Sequence, residues 1–322
     1  MTRNPIPSCG LDTEKSMAAS HAGVVDNAFE EGQYDIGIAS LLKSASPSVI
    51  PLPTHIRQLL YLALYPRDKN FSSSRHGAHV AKSSQSLAPL PATSDTACRA
   101  LRELHRTLHP KYLLRALPSY PEIGQTRYSS PAHKDGSDAA ADSTIAREAM
   151  RLADCRSCWR ILAEDFIPPI APVVRVLPGS PTKRTSAMAS GVARNDGEDP
   201  LLVGPTSWPV LEWLVSLFEK DEARTSKETG TCFSPLLLAQ IPATRSDRGA
   251  KWDATVPLDI VSFCLEQDEL ERHMLGNRLL RMLVNLTDSK DFDLPMFVNL
   301  VVTRFLTRDR EDVSSFLSQL PS

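Results

Sequence analysis

The sequence has no long apolar run of the kind that membrane insertion requires. A helix that crosses a bilayer needs ~18 or more consecutive apolar residues, and no stretch of that length occurs. The first residues are not followed by the apolar segment that a secretory signal requires. We therefore expect an intracellular protein, nuclear or cytoplasmic and not secreted, that does not associate with membranes.

The sequence also lacks a large excess of charge of one sign and a dense set of cysteines. Lys and Arg total 36 and Asp and Glu total 38, so the formal net charge is -2. Such a balance offers no long-range attraction to nucleic acid or to an anionic membrane, although a local basic patch is still compatible with it. The six cysteines are too few and too scattered for a disulfide scaffold, and we interpret them as reduced thiols.

Motifs for catalysis are absent or incomplete. No Gly-x-Ser-x-Gly elbow, Walker loop or dinucleotide-binding glycine pattern occurs. His105 and His109 are spaced as on a metalloprotease helix, but Arg106 stands where that chemistry needs a Glu. Cys155 and Cys158 fit half of a zinc site, a redox dithiol or a pair of buried structural thiols, and we favour the last. We predict no enzyme activity, no cofactor and no metal.

What the chain does contain is a repeated signal for the start of a helix. A capping residue, a large apolar residue and a proline occur together three times in the last third of the chain, and Ser234-Pro235 is a shorter version. The capping side chain accepts a hydrogen bond from a first-turn amide, and proline removes an amide that lacks a partner. The three starts are Ser207-Trp208-Pro209, Thr255-Val256-Pro257 and Asp293-Leu294-Pro295.

Apolar residues at helical spacing follow these starts. The strongest stripe runs from Leu270 to Leu286, and others run from Phe297 to Phe305 and from Val313 to Leu320. The distances between the starts are near the ~40–47-residue period of HEAT and armadillo repeats. We predict an all-α fold of helical hairpins, as an irregular HEAT-, armadillo- or tetratricopeptide-like stack with long disordered loops.

The segment 27–38 resembles the turn of a tetratricopeptide hairpin. In that family a glycine closes the first helix and an aromatic residue opens the second, and Gly32 and Tyr34 occupy these places. The resemblance covers one half-repeat and departs from the family pattern at Gly37, where alanine is preferred. It implies a helical hairpin near the N-terminus.

Composition divides the chain into helical regions and linkers rich in Pro, Ser and Gly. In the central region we predict one long helix from 143 to 166, because apolar residues recur there at intervals of three, four or seven. The predicted parts are an N-terminal hairpin region at 1–66, a flexible linker at 67–93, a central helical region at 94–177 with a mobile insertion at 118–142, a second flexible linker at 178–206 and a C-terminal helical domain at 207–322.

Candidate binding residues lie in the C-terminal domain. Trp208, Trp213 and Trp252 are candidate contact anchors for a partner protein, because tryptophan is enriched at binding hot spots, and core packing is the alternative. A set of arginines could share one face that binds an acidic partner or nucleic acid, and solvated helix faces are the alternative. This set comprises Arg272, Arg278, Arg281, Arg304, Arg308 and Arg310.

One candidate regulatory site lies in the second linker. Ser180 and Pro181 precede Thr182 and Lys183, which is the Ser-Pro-x-Lys form that proline-directed kinases favour. Phosphate at Ser180 adds nearly two negative charges beside basic residues and would alter docking. Such regulation is typical of a nuclear or cytosolic regulatory protein.

Together these observations favour a non-enzymatic helical scaffold, or a subunit of a multiprotein complex, that binds a partner protein through its C-terminal helices. The alternative is a nuclear chromatin- or nucleic-acid-associated subunit that uses the arginine-bearing face. An enzyme of an unrecognised family is a third possibility.

Overall fold

The computed structural model of the protein describes most of the regions for which helices are predicted. Within this part of the chain, no helix has the length and apolar composition to cross a membrane. The described residues are 15–65, 89–118, 120, 144–155, 157–164, 166–167, 201–246, 249–289, 292 and 294–305.

The N-terminal region is a helical hairpin, as the tetratricopeptide resemblance implies. Helices α1 (Ala19–Glu30) and α2 (Tyr34–Ser44) join at Gly32, whose φ of 72° lies in the left-handed region that favours glycine. Gly37 is needed for a different reason, since a Cβ atom there would lie 2.5 Å from the ring of Phe29. The departure from alanine therefore allows the two helices to approach closely.

Two very short strands close the base of this hairpin. Strand β1 (Lys15–Ser16) pairs in parallel with β2 (Val49–Ile50), and Met17 donates its backbone N–H to the carbonyl of Ile50 at 3.0 Å. The chain before α1 is thereby tied to the chain after α2.

Four helices form the central part of the chain that the structure describes. They are α3 (Pro53–Leu64), α4 (Pro91–Thr107), α5 (Pro110–Leu114) and α6 (Thr144–Asp154), and α3 packs against both α4 and α6. A proline in the first turn begins α3, α4 and α5, where its missing N–H costs nothing. Because Pro91 starts α4, residues 91–93 belong to this helix and not to the predicted linker.

The prediction of one helix from 143 to 166 is wrong. Helix α6 ends at Asp154, and among the described residues from 155 to 167 a short 3-10 helix follows at Arg160–Leu162. The indole Nε1 of Trp159 donates to the carbonyl of Gln240 at 2.8 Å, and the Cys158 N–H donates to the Gln240 side chain at 3.2 Å. The backbone N–H of Cys158, which would bond to the carbonyl of Asp154 in a continued helix, is thus bound to a distant turn.

The described part of the C-terminal region is helical with one small β-hairpin. In chain order it contains α7 (Trp208–Thr229), α8 (Pro235–Leu238), strands β3 (Ala243–Ser246) and β4 (Gly249–Trp252), α9 (Thr255–Leu265), α10 (Leu270–Asn285), a 3-10 helix (Leu286–Asp288) and α11 (Leu294–Phe305). Helices begin at all three predicted starts and at Pro235, and α7 ends at Gly230 in the left-handed conformation.

The predicted capping side chains are correct only in part. Ser234 accepts a hydrogen bond from the N–H of Leu237 at 3.0 Å, as expected for a cap. Ser207 precedes α7 without capping it. Thr255 lies inside α9, and its N–H donates instead to the carboxylate of Asp253 at 3.0 Å. Asp293 lies outside the described residues.

The structure confirms a predominantly helical fold, and its described residues also include short strands that the prediction did not contain. Strands β3 and β4 form an antiparallel hairpin that aligns Ala243 with Trp252, and the sequence there has no alternating apolar pattern. A HEAT-, armadillo- or tetratricopeptide-like stack is not confirmed. Most of the predicted mobile insertion and most of both predicted linkers lie outside the described residues.

One continuous apolar core runs through the described residues, from Met17 in the N-terminal region to Phe297 in α11. Helix α7 contacts α3, α4, α5 and α10, and so joins the central and C-terminal regions. Residues 201–206 fall in the second predicted linker, but Val203 is buried and Thr206 donates to the carbonyl of Leu64 at 3.1 Å. The predicted domain boundaries stay a prediction.

Candidate partner-binding surface

The tryptophans predicted as contact anchors lie in different environments. Trp213 is 2% exposed, and its indole Nε1 donates to the carbonyl of Leu101 at 3.0 Å. Its side chain belongs to the core and presents no surface to a partner. Trp208 is half-buried and stacks on Phe263 with a centroid distance of 5.9 Å. The side chain of Trp252 lies outside the described part of the chain.

Two of the predicted binding arginines are bound by one carboxylate. Arg278 donates from Nε to Oε1 of Glu219 at 3.0 Å and from Nη2 to Oε2 at 2.7 Å, which is a bidentate ion pair. Its Nη2 also donates to the hydroxyl of Ser216 at 3.0 Å. The hydrogen bonds with Glu219 raise the pKa of Arg278. Arg281 adds a contact to Glu219 at 3.3 Å.

The other described members of this set are also paired. Arg304 of α11 forms an ion pair with Asp259 of α9. Arg272 forms one with Glu269 at 3.1 Å. A phosphate group would have to compete with these carboxylates for the described arginines of this set. Arg308 and Arg310 lie outside the described residues.

The predicted histidine pair serves the packing of α4, α5 and α7. The Nε2 atom of His105 bonds to the carbonyl of Ser216 at 3.1 Å, and burial lowers the pKa of His105. The Nδ1 atom of His109 accepts the N–H of Lys111 at 3.1 Å and caps α5. Both of these ring nitrogens thus have protein partners in place of a metal ion.

The Cys-x-x-Cys pair follows α6 instead of lying within a helix. Cys158 is fully buried, and burial raises its pKa well above the usual value. Cys155 is half-buried, and burial raises its pKa as well. A buried thiol with a raised pKa forms little of the thiolate that binds metals or attacks disulfides. Cys158 is buried as predicted, and the structural role of the two thiols stays a prediction. Across the described ranges, no group of three or more His, Cys, Asp or Glu side chains is placed to hold a metal ion.

Helix α11 exposes an apolar face whose residues are not among the predicted binding residues. Leu294, Val298 and Val302 are 49%, 49% and 41% exposed, and their spacing of four places them on one side of the helix. We call these three residues the α11 face. The other exposed positions of the helix are Pro295, Asn299 and Thr303, so the outer side of its described part carries no charge.

A second apolar exposure occurs at the start of α10, and we call its two residues, Leu270 and Met274, the α10 tip. They are 73% and 56% exposed and one turn apart. In contrast to the α11 face, they lie within a sequence rich in acidic residues, namely Glu266, Asp268, Glu269 and Glu271.

A signal for the α11 face is present in the sequence. The segment LPMFVNLVVTRF is apolar around most of its circumference, whereas a helix that covers a core on one side normally carries polar residues on the other. The predicted stripe that begins at Phe297 describes only the inward side of this helix. Ser180, the candidate phosphorylation site, lies outside the described residues.

Comparisons with protein-family models, with curated proteins and with solved structures find no match to this chain. The fold and the exposed surfaces define it as a predominantly helical protein with an uncharged apolar face on its last described helix. A fold alone does not determine function, so the function has to be inferred from this surface.

Proposed function

We propose that this protein is a non-enzymatic helical scaffold, or a subunit of a multiprotein complex, and that it binds a partner protein through the α11 face. The supporting observation is an exposed helix side without a single charged residue in its described part. Solvated helix faces usually carry charges, and contiguous exposed apolar surface is typical of protein interaction sites.

The chemistry of the face defines the partner that we propose. Because Leu294, Val298 and Val302 offer no charge, the matching surface is apolar and uncharged at its centre. A helix with apolar residues at i, i+3 or i+4, and i+7 has the right shape to lie along this face. Binding of this kind depends on buried apolar area and is only weakly sensitive to salt.

A second copy of the chain is a poor candidate for this partner. Helix α11 has 12 residues and is therefore roughly 18 Å long, with three exposed apolar side chains along it. Two copies that met only through this face would bury less than the ~1,200 Å² typical of stable interfaces. A different protein that contacts the helix and its surroundings fits better.

We also propose that the C-terminal helices form part of a helical repeat stack. Helices α9 and α10 pack as a hairpin and α11 packs on α9, which is compatible with the edge of a short HEAT- or armadillo-like stack. Such stacks present exposed helix faces to their partners. An intracellular location and phosphorylation of Ser180 stay predictions of the same proposal.

The experiment is affinity purification of the full chain from cells that express it, followed by mass spectrometry. We compare the wild type with Val298→Asp, which places a charge on the α11 face, and with the matched control Met274→Asp on the α10 tip. The proposal expects a stoichiometric partner that the first variant loses and the second retains. Equal capture by all three proteins would refute a role for the α11 face.

Salt titration of the purified complex then tests the alternative function. An apolar contact keeps its affinity between 50 and 200 mM salt, whereas a protein that neutralises several phosphates loses about 10³-fold or more. Steep loss, together with binding to DNA or RNA, would favour the nucleic-acid-associated subunit. The paired arginines make this the weaker candidate.

A further inference from the structure

A groove of about 460 Å³ lies between α2 and the outer side of α4, and we call it the α4 groove. Its volume lies in the range of about 300–1,000 Å³ that is common for ligand sites. Leu42 of α2 forms one wall. The residues of α4 that line the groove are Thr96, Arg99, Ala100, Arg102, Glu103 and Arg106.

Three arginines of this wall lie along one side of α4. Arg99 and Arg102 are three positions apart, and Arg102 and Arg106 are four apart, so each pair consists of neighbours on the helix surface. At about 1.5 Å per residue, Arg99 and Arg106 are roughly 10 Å apart along the helix axis. All three side chains are exposed. A group with several acceptor atoms can therefore contact more than one guanidinium.

Arg99 carries a positive charge that no carboxylate of the described residues neutralises. Its Nη2 donates to the hydroxyl of Thr96 at 3.0 Å, and that hydroxyl donates to the carbonyl of Ala92 at 2.9 Å. These bonds hold the guanidinium against α4. They leave Nε and Nη1 of Arg99 without a partner within the described part of the chain.

The other two arginines of the groove are paired only weakly. Arg102 contacts Glu212 once, at 3.4 Å, and Arg106 contacts Glu103 once, at 3.3 Å. Both pairs are exposed, and single contacts between exposed side chains contribute little to stability. The bidentate ion pair between α7 and α10 differs from them, because it is less exposed and one of its contacts is 2.7 Å long. An anion can therefore displace the carboxylates of the groove at small cost.

The groove has a surplus of positive charge. Its wall contains three arginines and one glutamate, so the formal charge of the wall is +2, and it is +1 when Glu212 is counted as well. A carboxylate ligand would replace one carboxylate by another and gain little. A phosphate group carries nearly two negative charges and three acceptor oxygens, so it binds guanidinium groups more strongly.

The extent of the groove favours a phosphorylated protein side chain over nucleic acid or a membrane. Proteins that bind DNA electrostatically often contact about 6–10 phosphates, which is more than three arginines can neutralise. An anionic membrane would also face the exposed carboxylates of Glu103 and Glu212. Beside the arginines, Leu42 and Ala100 offer an apolar contact to a residue next to the phosphate.

We propose that the α4 groove binds a phosphorylated serine or threonine side chain of a partner protein. The phosphate accepts hydrogen bonds from the guanidinium groups of Arg99, Arg102 and Arg106. An adjacent apolar residue of the partner lies against Leu42. Clustered arginines are a recurring means of recognising phosphorylated segments. The groove is separate from the α11 face, and the proposal does not depend on that surface.

Fluorescence polarisation with the full chain and a labelled hexapeptide, Gly-Ala-phosphoserine-Leu-Ala-Gly, tests the proposal. The same peptide with serine or glutamate in place of phosphoserine serves for comparison. We expect the phosphopeptide to bind at least tenfold more tightly than either of these peptides. Inorganic phosphate should compete only weakly, because it lacks the apolar contact.

Variants of the groove test which residues bind the phosphate. Arg99→Gln should weaken phosphopeptide binding at least tenfold, whereas the matched control Arg224→Gln removes an exposed arginine of α7 and should leave it unchanged. Glu103→Gln should strengthen binding severalfold, because it removes the competing carboxylate. Its matched control Glu228→Gln, which changes the net charge equally, should have no such effect.

Three results would overturn the proposal. They are equal binding of the phosphopeptide and the serine peptide, equal affinity of the wild type and Arg99→Gln, and binding of inorganic phosphate as tight as that of the phosphopeptide. Val298→Asp should lose the partner of the α11 face and keep its affinity for the phosphopeptide, so the two proposals can fail separately.

Discussion

The interface between α7 and α10, which we call the seam, contains paired charges, whereas the described outer side of α11 contains none. In the seam, Glu219 binds Arg278 and Arg281, and Glu222 accepts a hydrogen bond from Asn285 at 3.0 Å. On α11, the exposed positions are uncharged. Charges that are paired inside the chain stabilise the fold but are not available to a partner, whereas an uncharged apolar face loses little hydration when another protein covers it.

The largest loss of stability is expected for a substitution in the buried core, in contrast to the exposed α11 face. Trp213→Ala should lower the free energy of unfolding by about 3–5 kcal/mol, because a large buried side chain is lost and the carbonyl of Leu101 loses its donor. Chemical denaturation measures this change. Trp208→Ala is the matched control. Because the ring of Trp208 is only half-buried, its loss should lower the free energy of unfolding clearly less. Equal losses for the two variants would contradict the assignment of Trp213 to the core.

The seam itself can be broken at Glu219. Glu219→Ala removes the carboxylate that Arg278 and Arg281 share, so we expect a loss of about 1–3 kcal/mol in the free energy of unfolding. Thermal and chemical denaturation measure it. Glu228→Ala removes a carboxylate from an exposed i,i+4 pair at the end of the same helix and should cost under about 0.5 kcal/mol. A similar small cost at Glu219 would mean that the seam does not stabilise the fold.

The lowered pKa of His105, which lies next to the seam, predicts that the stability of the fold depends on pH. Burial and the nearby charges of Lys220 and Arg106 lower the pKa of His105, while its bond to Ser216 and the charge of Glu219 act in the other direction. The unfolded chain therefore binds the proton more tightly, and stability falls as the pH decreases through the usual histidine pKa of about 6.5. His105→Gln should make the loss of stability between pH 7 and pH 5 less steep.

This effect is measured by chemical denaturation at several pH values. The pKa of His109 is lowered too, so part of the pH dependence should persist in the variant. An unchanged slope in His105→Gln would show that its protonation does not oppose folding.

The smallest effect on stability is expected on the α11 face. Val298→Asp changes a side chain that is 49% exposed, so the free energy of unfolding should change by no more than about 0.5 kcal/mol. Circular dichroism during heating measures this, and the same variant should lose the proposed partner. A large loss of stability would instead show that the α11 face is packed within the folded chain.

Prediction from the sequence is most successful for features that depend on neighbours along the chain. Helices begin at Trp208, Thr255 and Leu294 as predicted, because proline and its flanking residues act within one turn. The turn at Gly32 follows from the conformational freedom of glycine. Both effects are local, so they are visible in a single sequence.

The candidate sites are harder to predict because exposure and pairing depend on distant residues. Of the tryptophans, Trp208 keeps a partly exposed ring and Trp213 is a core residue, although both lie on the same helix. The spacing of the arginines is compatible with one basic face, but Glu219 and Asp259 lie beside them in the folded chain. Spacing along a helix indicates a shared side but not what packs against it.

The sequence by itself determined the helical character of the chain and the starts of four C-terminal helices, because capping, proline geometry and apolar periodicity act over a few residues. Tertiary structure alone decided that α6 ends at Asp154, since Trp159 and Cys158 bond to Gln240 about eighty residues away. It also decided which carboxylates pair with the arginines and which side of α11 is left exposed. Each of these outcomes requires segments that are far apart in the chain to meet, and their meeting depends on the packing of the whole core.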